Sequence, residues 1–265
     1  MKKLSGLMIL LAMLIVSQRA MAWGNWGHHI AAYIAEKHLT PEAKEKCQHY
    51  LKHNLPHYSS WQDYWRHSDP FKESSFWHSS YVNNKLDVVG YKEDETRDAA
   101  YQVDRIVKEM SNGQYKNMSD SLVVVNLKLL IHMVGDMHCP SHVVHTKEWG
   151  LRGHSMYVKG KKVPRHSFWD RAPMYMHPKW KADRFVEAYD TYSEREIKKI
   201  CKGNAFKWGV QNGRKIIETY GYWEKGTEFT ELSKEQRQQI DETLHEQLAF
   251  AGYRLASVLN KIFSK

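Results

Sequence analysis

The chain is poor in the features that mark several classes of protein. Its 265 residues include three cysteines, Cys47, Cys139 and Cys201, which allow at most one disulfide and exclude a disulfide-rich scaffold. Its seven prolines and fifteen glycines form no linker and no glycine-rich loop of the kind that cradles a nucleotide. We therefore predict one domain with one core, because the length of the chain is large but ordinary for a single domain.

A long apolar segment is also missing. The apolar run at residues 4–16 is shorter than the roughly 20 residues that a spanning helix needs. It follows Lys2 and Lys3 and precedes Ala-Met-Ala at residues 20–22, a pattern typical of a secretory signal peptide. We expect a leader at residues 1–22, a mature domain at 23–265, and export to the periplasm or the medium. We expect neither stable membrane association nor an obligate protein partner.

Positive charge exceeds negative charge over the whole chain. The formal net charge is +9 with histidine counted as neutral, and the basic residues form no dense block. Such an excess favours an anionic partner, for example nucleic acid or a phosphorylated ligand.

Helical periodicity dominates the chain after residue 22. Thr40 precedes Pro41, and Ser233 stands three residues before Gln236, two patterns typical of helix starts. The periodicity predicts helices at residues 28–38, from 41, and at 96–110, 119–138, 181–200, 205–220 and 233–263. Alternation at 153–164 predicts a short hairpin or an ordered loop, and Gly252 is expected to permit close helix packing. The predicted fold class is all-α, a single compact, mostly helical domain with that hairpin or loop inserted.

Two histidine–aspartate pairs stand out against this background. His132 and Asp136 are four residues apart, as are His166 and Asp170. On a helix this spacing places both side chains of a pair on one face, one turn apart. Imidazole and carboxylate are the ligands that zinc prefers besides thiolate. The two pairs therefore indicate a multinuclear zinc site.

Other side chains could complete such a site. Asp63 and His78 could join His132 and Asp136 around a first ion. His142 could join His166 and Asp170 around a second ion. Trp23 and His28 could hold a third ion and share Asp136 as a bridge.

Trp23 would contribute through its backbone. Cleavage after Ala22 frees an amine whose nitrogen can bind a metal together with the carbonyl oxygen of the same residue. A reference pKa of about 7.7–8.0 lets this amine lose its proton readily to a dication.

The remaining candidates have ordinary interpretations. We expect Cys139 to be a buried small hydrophobic residue, as free cysteines often are. Seven histidines are interpreted as solvated surface residues, because most exposed histidines carry no special role. They are His38, His49, His53, His57, His67, His177 and His245.

The chain resembles the zinc-dependent, single-strand-specific nucleases of the S1/P1 type, which share a superfamily with the zinc phospholipases C. The resemblance spans the whole predicted mature chain. It rests on Trp-Gly-Asn-Trp-Gly-His at residues 23–28, Trp-Gln-Asp-Tyr-Trp-Arg at 61–66, Trp-His at 77–78, the segment 132–142, His-Ser-Phe-Trp-Asp at 166–170 and Gly-Tyr-Arg-Leu-Ala at 252–256.

This resemblance implies a mostly helical fold with three Zn²⁺ ions at the base of a cleft. It implies the ligand sets described above, with Asp136 as a catalytic bridge, and gives Arg66 a catalytic role on the phosphoryl group. Paired ions lower the pKa of a water that then attacks phosphorus. The implied activity is hydrolysis of single-stranded DNA and RNA to 5′-phosphate products, together with 3′-nucleotidase activity.

The chain departs from the family where a nucleobase should bind. Fungal members carry an aromatic residue directly after the histidine that matches His78, and an acid two positions beyond. Here those positions are Ser79 and Tyr81, so a base is expected to stack on Tyr81 or Trp65. Arg165 also differs from the family, at a position where a polar contact is usual.

Two alternatives remain open. One is a zinc phospholipase C, which the five-residue spacing from Trp23 to His28 and the aspartate at position 170 oppose. The other is a zinc-binding protein without enzymatic activity, which Arg66 opposes.

Overall fold

The computed structural model of the protein describes residues 23–145 and 154–264, and most of these residues are helical. The predicted leader at residues 1–22 lies outside the described part of the chain. Within that part, no helix combines the length and apolar character needed to cross a bilayer.

The α-helices agree with the predicted fold class. They are α1 (Gly24–Lys37), α2 (Pro41–Leu51), α3 (Leu55–Tyr58), α4 (Trp61–Trp65), α5 (Ala99–Met110), α6 (Asp120–Asp136), α7 (Arg165–Met176), α8 (Ala182–Tyr189), α9 (Glu194–Ile200), α10 (Ala205–Thr219) and α11 (Lys234–Phe263). Short 3₁₀ turns occupy Lys72–Phe76, Glu95–Arg97, Gln114–Asn117 and Phe229–Glu231.

Polar caps fix several helix starts where the sequence predicted them. The Thr40 hydroxyl accepts a hydrogen bond from the Ala43 amide at 3.2 Å, with Pro41 in the first turn of α2. At α11 the Ser233 hydroxyl accepts from the Gln236 amide while the Gln236 side chain accepts from the Ser233 amide. Each cap satisfies amides that the helix itself leaves unpaired.

The strands form two small sheets. Strands β3 (Ser155–Val158) and β4 (Lys161–Pro164) pair antiparallel around a turn at Lys159 and Gly160, which both have positive φ. This is the predicted hairpin. Strands β1 (Ser80–Val82) and β2 (Val143–His145) pair in parallel. The sequence does not predict these strands, because three residues are too few to display alternation. Their pairing holds the segment after His78 beside the segment after His142.

Three predicted helices have different boundaries. The helix predicted at residues 28–38 begins at Gly24 and ends at Lys37. Residues 181–200 form α8 and α9 rather than one helix, because the Asp190 carboxylate between them is held by the Lys37 ammonium at 2.6 Å and the His38 ring at 2.8 Å. Ser193 then caps α9 with a capping box. The helix expected from residue 96 begins at Ala99, because Asp98 caps it and accepts the Ala100 amide at 2.7 Å.

The apolar interior consists of two large clusters and one small cluster rather than a single core. One large cluster joins α2, α5, α6 and the end of α11, and the other joins α1, α7, α8 and the start of α11. Gly252 on α11 lies against α1, where an added Cβ would come within 2.5 Å of Ile34 Cγ2 and 2.9 Å of the Ala31 carbonyl oxygen. The close packing predicted for Gly252 is confirmed.

Candidate metal centre

The structure brings the predicted ligand side chains together from widely separated parts of the chain. Nearly all of them are buried; His166, whose side chain is 31% exposed, is the most accessible. They are His28 on α1, Asp63 on α4, His78 before β1, His132 and Asp136 on α6, His142 before β2, and His166 and Asp170 on α7.

Asp136 lies at the middle of the first group. One carboxylate oxygen, Oδ2, is 2.8 Å from His78 Nδ1 and 3.1 Å from His132 Nε2. The other, Oδ1, is 3.3 Å from His28 Nε2. A single carboxylate therefore faces three imidazoles, which is the arrangement expected of a group that bridges two cation sites.

Asp63 completes this first group without hydrogen bonding to it. Its Oδ1 is 3.7 Å from His78 Nδ1 and 3.8 Å from His132 Nε2. Neither carboxylate oxygen accepts a hydrogen bond from the described residues, although Asp63 is only 6% exposed.

These separations fit a bound cation. Zinc–nitrogen and zinc–oxygen bonds of about 2.0–2.2 Å in a tetrahedral site place ligand atoms about 3.3–3.6 Å apart. Buried polar atoms normally have hydrogen-bond partners. The unpartnered oxygens of Asp63, at separations slightly longer than those of zinc ligands, are therefore donors that could hold a cation.

Backbone carbonyls orient two of the imidazoles. The His132 ring donates Nδ1–H to the Ser59 carbonyl at 2.7 Å, and the His142 ring donates Nδ1–H to the His78 carbonyl at 2.6 Å. Each bond leaves Nε2 directed towards the cluster, as metal-binding histidines require.

A second group surrounds Asp170. One of its oxygens, Oδ1, accepts the Ser141 hydroxyl at 3.1 Å and is 4.0 Å from His142 Nε2. The other, Oδ2, is 3.5 Å from His166 Nε2. The pair predicted on one helix face thus lies on one face of α7, with His142 opposite.

Trp23 lies at the start of α1, which carries His28. Its side chain is fully buried, its carbonyl accepts the Gly27 amide at 3.0 Å, and its backbone N–H is close enough to Cys139 to lower the pKa of that thiol, against the larger effect of burial. The carbonyl oxygen of Asp170 would lie 2.7 Å from a Cβ added to Gly24. The Trp23 backbone nitrogen is therefore next to residues of the second group.

Burial and neighbouring charges oppose one another within the centre. Burial lowers the pKa of His78 to about 4. Burial acts in the same direction on His132, but the carboxylates of Asp136 and Asp63 outweigh it and raise the pKa of His132 to about 9. Burial would raise the pKa of Asp136, yet His132 and His142 hold it well below its usual value. Asp136 is therefore ionised.

Arg66 borders the first group. Its guanidinium Nη2 lies 3.8 Å from Asp63 Oδ1, and its side chain is 17% exposed. Beside it, Tyr64 and Trp65 are 62% and 48% exposed. The Arg66 guanidinium and two exposed aromatic rings thus lie beside the buried imidazoles and carboxylates.

The other two predicted base-binding residues have different surroundings. Ser79 is half-buried, and its carbonyl accepts the Ala99 amide at 3.1 Å. Tyr81 lines a cavity of about 570 Å³ together with Tyr91, and the two ring centroids are 5.6 Å apart. The sequence does not predict that Tyr91 lies beside Tyr81, because nothing in the pattern around Tyr91 indicates the contact.

Arg165, which departs from the family pattern, is buried behind the centre. Its guanidinium donates to the Thr219 hydroxyl and lies 4.3 Å from the ring centroid of Tyr220 and 4.8 Å from that of Trp223. It therefore packs within the fold on aromatic faces.

The solvated interpretation is wrong for three histidines. His38 binds Asp190, His177 Nε2 lies 2.6 Å from Asp241, and His245 contacts Thr191 at 3.1 Å. Their partners are distant in the sequence, so no local pattern could show them. His49, His53, His57 and His67 are exposed as expected.

Sequence reasoning also missed a buried network behind the centre. Arg254 donates to His138 Nε2 at 2.8 Å, and His138 donates Nδ1–H to the Val134 carbonyl at 2.7 Å. Asn212 donates to the Met137 carbonyl at 2.6 Å. These bonds hold the turn between Asp136 and His142.

Known proteins resemble the chain over its whole described length. The family model described as S1/P1 Nuclease matches residues 23–264. Nuclease S1 of Aspergillus oryzae is 23% identical over 279 residues, which cover 96% of this chain and 96% of that protein. Nuclease P1 of Penicillium citrinum and Nuclease PA3 of a Penicillium species are 23% and 24% identical over 270 residues, covering 91% of this chain and 97% of each relative.

Proposed function

The chain belongs to the S1/P1 nuclease family, and from this premise we propose that it is an exported, zinc-dependent phosphodiesterase. Its substrates are single-stranded DNA and RNA, which it hydrolyses to 5′-phosphate products, and it also acts as a 3′-nucleotidase. The observation that carries the proposal is the convergence of buried imidazoles and carboxylates around Asp136.

Three Zn²⁺ ions fit the available donors. Asp63, His78, His132 and Asp136 would hold the first ion. His142, His166 and Asp170 would hold the second. His28, Asp136 and the free amine and carbonyl of Trp23 would hold the third. The hydrogen bond from the Gly27 amide to the Trp23 carbonyl, which holds Trp23 at the start of the helix that carries His28, supports this last assignment.

When bound, the ions supply an activated water and neutralise charge on the phosphate. Arg66 acts beside them because its guanidinium presents several N–H donors in a plane. It donates to the phosphoryl oxygens as charge develops on them, a contribution that preorganised donors make with no rearrangement. Its position next to Asp63 keeps the guanidinium directed towards the cluster.

Exposed aromatic rings hold the strand. Trp65, adjacent to Arg66 and half exposed, offers a face on which a base stacks. Tyr81 offers a second face in its cavity, and Ser79 connects His78 to strand β1, which carries Tyr81.

A substrate panel tests the proposal. Single-stranded DNA, RNA, a 3′-nucleotide and phosphatidylcholine are incubated side by side with the purified protein, with and without a zinc chelator. We expect cleavage of the first three to 5′-phosphate or nucleoside products and no cleavage in chelator. Hydrolysis of phosphatidylcholine alone identifies a phospholipase C, and zinc binding with no hydrolysis identifies a zinc-binding protein.

A further inference from the structure

Cys139 lies within the second group of ligands, beyond the donors assigned above. Its side chain is fully buried. Its sulfur is 3.9 Å from Asp170 Oδ1 and 3.0 Å from the Ser141 hydroxyl oxygen. The sulfur, a nitrogen of His142 and an oxygen of Asp170 all lie within 4.8 Å of one another.

The two residues that share this group with Cys139 point to a cation independently of the sulfur. Asp170 is 4% exposed, and its Oδ2 accepts no hydrogen bond from the residues described. His142 donates Nδ1–H to the His78 carbonyl, and its Nε2 lies 4.0 Å from the other Asp170 oxygen, Oδ1. A buried carboxylate and an imidazole nitrogen that face one another are donors of a metal site.

The separations suit a sulfur ligand. A zinc–sulfur bond of about 2.3 Å and a zinc–oxygen bond of about 2.0–2.2 Å place the two ligand atoms about 3.6 Å apart in a tetrahedral site. The observed 3.9 Å between the sulfur and Asp170 Oδ1 is close to that value. A small movement of either side chain closes the difference.

We propose that Cys139 is a thiolate ligand of the second metal ion, together with His142, His166 and Asp170. On binding, the S–H bond breaks, the sulfur keeps the electron pair and donates it to the ion, and the proton passes to solvent, with no change of oxidation state. With Cys139, the second ion would have four protein donors, as many as the first ion has. The inference rests on the proposed zinc binding and not on the nuclease activity.

A cobalt-substituted protein tests this directly. Cobalt(II) replaces zinc in such sites, and a thiolate bound to it produces a sulfur-to-cobalt charge-transfer band in the near ultraviolet. We expect the band in the wild-type protein and in a C47S/C201S double variant, in which Cys139 is the only remaining thiol. Cys139→Ser keeps a hydrogen-bond donor towards Asp170 but removes the sulfur. We expect it to lose the band, to release one proton fewer on zinc binding, and to bind one zinc at least about tenfold more weakly.

Each result decides the inference. Absence of the band from the wild-type protein overturns it, and this measurement does not depend on how any variant folds. Retention of the band or of full zinc affinity in Cys139→Ser also overturns it and makes the thiol a hydrogen-bond donor to Asp170. Chelator-sensitive cleavage of single-stranded DNA by a protein without the band refutes the inference and leaves the proposed function standing. Absence of both zinc binding and cleavage refutes the proposed function as well.

Discussion

Asp136→Asn is the substitution that this metal centre should tolerate least. The Asp136 carboxylate contacts His78, His132 and His28 at 2.8–3.3 Å and is fully buried. Asparagine keeps the shape of the side chain but replaces one acceptor oxygen by an NH₂ donor and removes the negative charge. One substitution therefore disturbs the first and the third proposed ions together.

The expected magnitude follows from the burial of the carboxylate. Removing one partner of a buried charged pair costs about 3–5 kcal/mol. Every 1.4 kcal/mol changes an equilibrium constant about tenfold, so zinc affinity at the first group should fall between about 10² and 10⁴-fold. Single-strand cleavage should fall at least as far, since two ions are weakened at once.

The assay is zinc counting after dialysis against a series of buffered chelator concentrations, with circular dichroism to confirm folding. Asp241→Asn is the matched control, because Asp241 also contacts a histidine, His177, at 2.6 Å but lies outside the ligand groups. We expect the control to retain wild-type zinc affinity. A folded Asp136→Asn protein with unchanged zinc content and affinity would refute the bridging role.

Four further changes test the third metal site, the role of Arg66, the packing at Gly252 and the ion pairs of Asp190. Retention of an extra methionine before Trp23 converts the proposed ligand amine to an amide, so metal analysis should find one zinc fewer; an unchanged count contradicts the third site. Arg66→Ala should lower kcat about 10²–10³-fold with zinc content unchanged, and wild-type kcat would exclude a role in the reaction. Gly252→Ala places a Cβ 2.5 Å from Ile34 Cγ2 and should cost about 1–3 kcal/mol, which thermal melts would report as a Tm lower by several degrees; an unchanged Tm contradicts the close packing. At Asp190, burial opposes ionisation, but the hydrogen bonds from Lys37 and His38 outweigh it and lower the pKa of the carboxyl group. The stability that the carboxylate contributes is therefore present above about pH 4 and is lost as the pH falls through the lowered pKa. Asp190→Asn should therefore melt about 2–4 °C below the wild type at pH 7, for about 1 kcal/mol at a partly exposed pair, and the gap should shrink at pH 3; a constant gap contradicts the ionic contribution.

The sequence predicted the features that neighbouring residues determine. The pairs His132–Asp136 and His166–Asp170 lie on single helices, so four-residue spacing alone places them on one face. The hairpin at Lys159–Gly160 and the caps at Thr40 and Ser233 are likewise decided by neighbouring residues. These elements were confirmed because no tertiary contact competes with the local preference.

Features that depend on distant contacts were not predictable in the same way. The break near Asp190 depends on Lys37 and His38, more than 150 residues away, and periodicity alone continues through it. Arg254 reaches His138 across the fold, and no pattern near either residue indicates the contact. The association of Asp63 and His78 with α6 was expected only as one possibility from residue type and from the family resemblance, and the structure supplies the distances.

Cys139 shows how a sound local expectation can be incomplete. It is buried, as expected of a free cysteine. Its sulfur contacts the nearby Ser141 hydroxyl and the Asp170 carboxylate rather than apolar groups alone, and only the packing of α7 against the segment after α6 reveals the carboxylate.

A zinc titration of metal-free protein, with cleavage of single-stranded DNA followed at each step, measures whether the three-ion centre performs the hydrolysis. We expect no cleavage without zinc and a plateau of activity at three zinc ions per chain. Full cleavage in the presence of chelator, or a plateau reached with a single ion, would contradict this expectation.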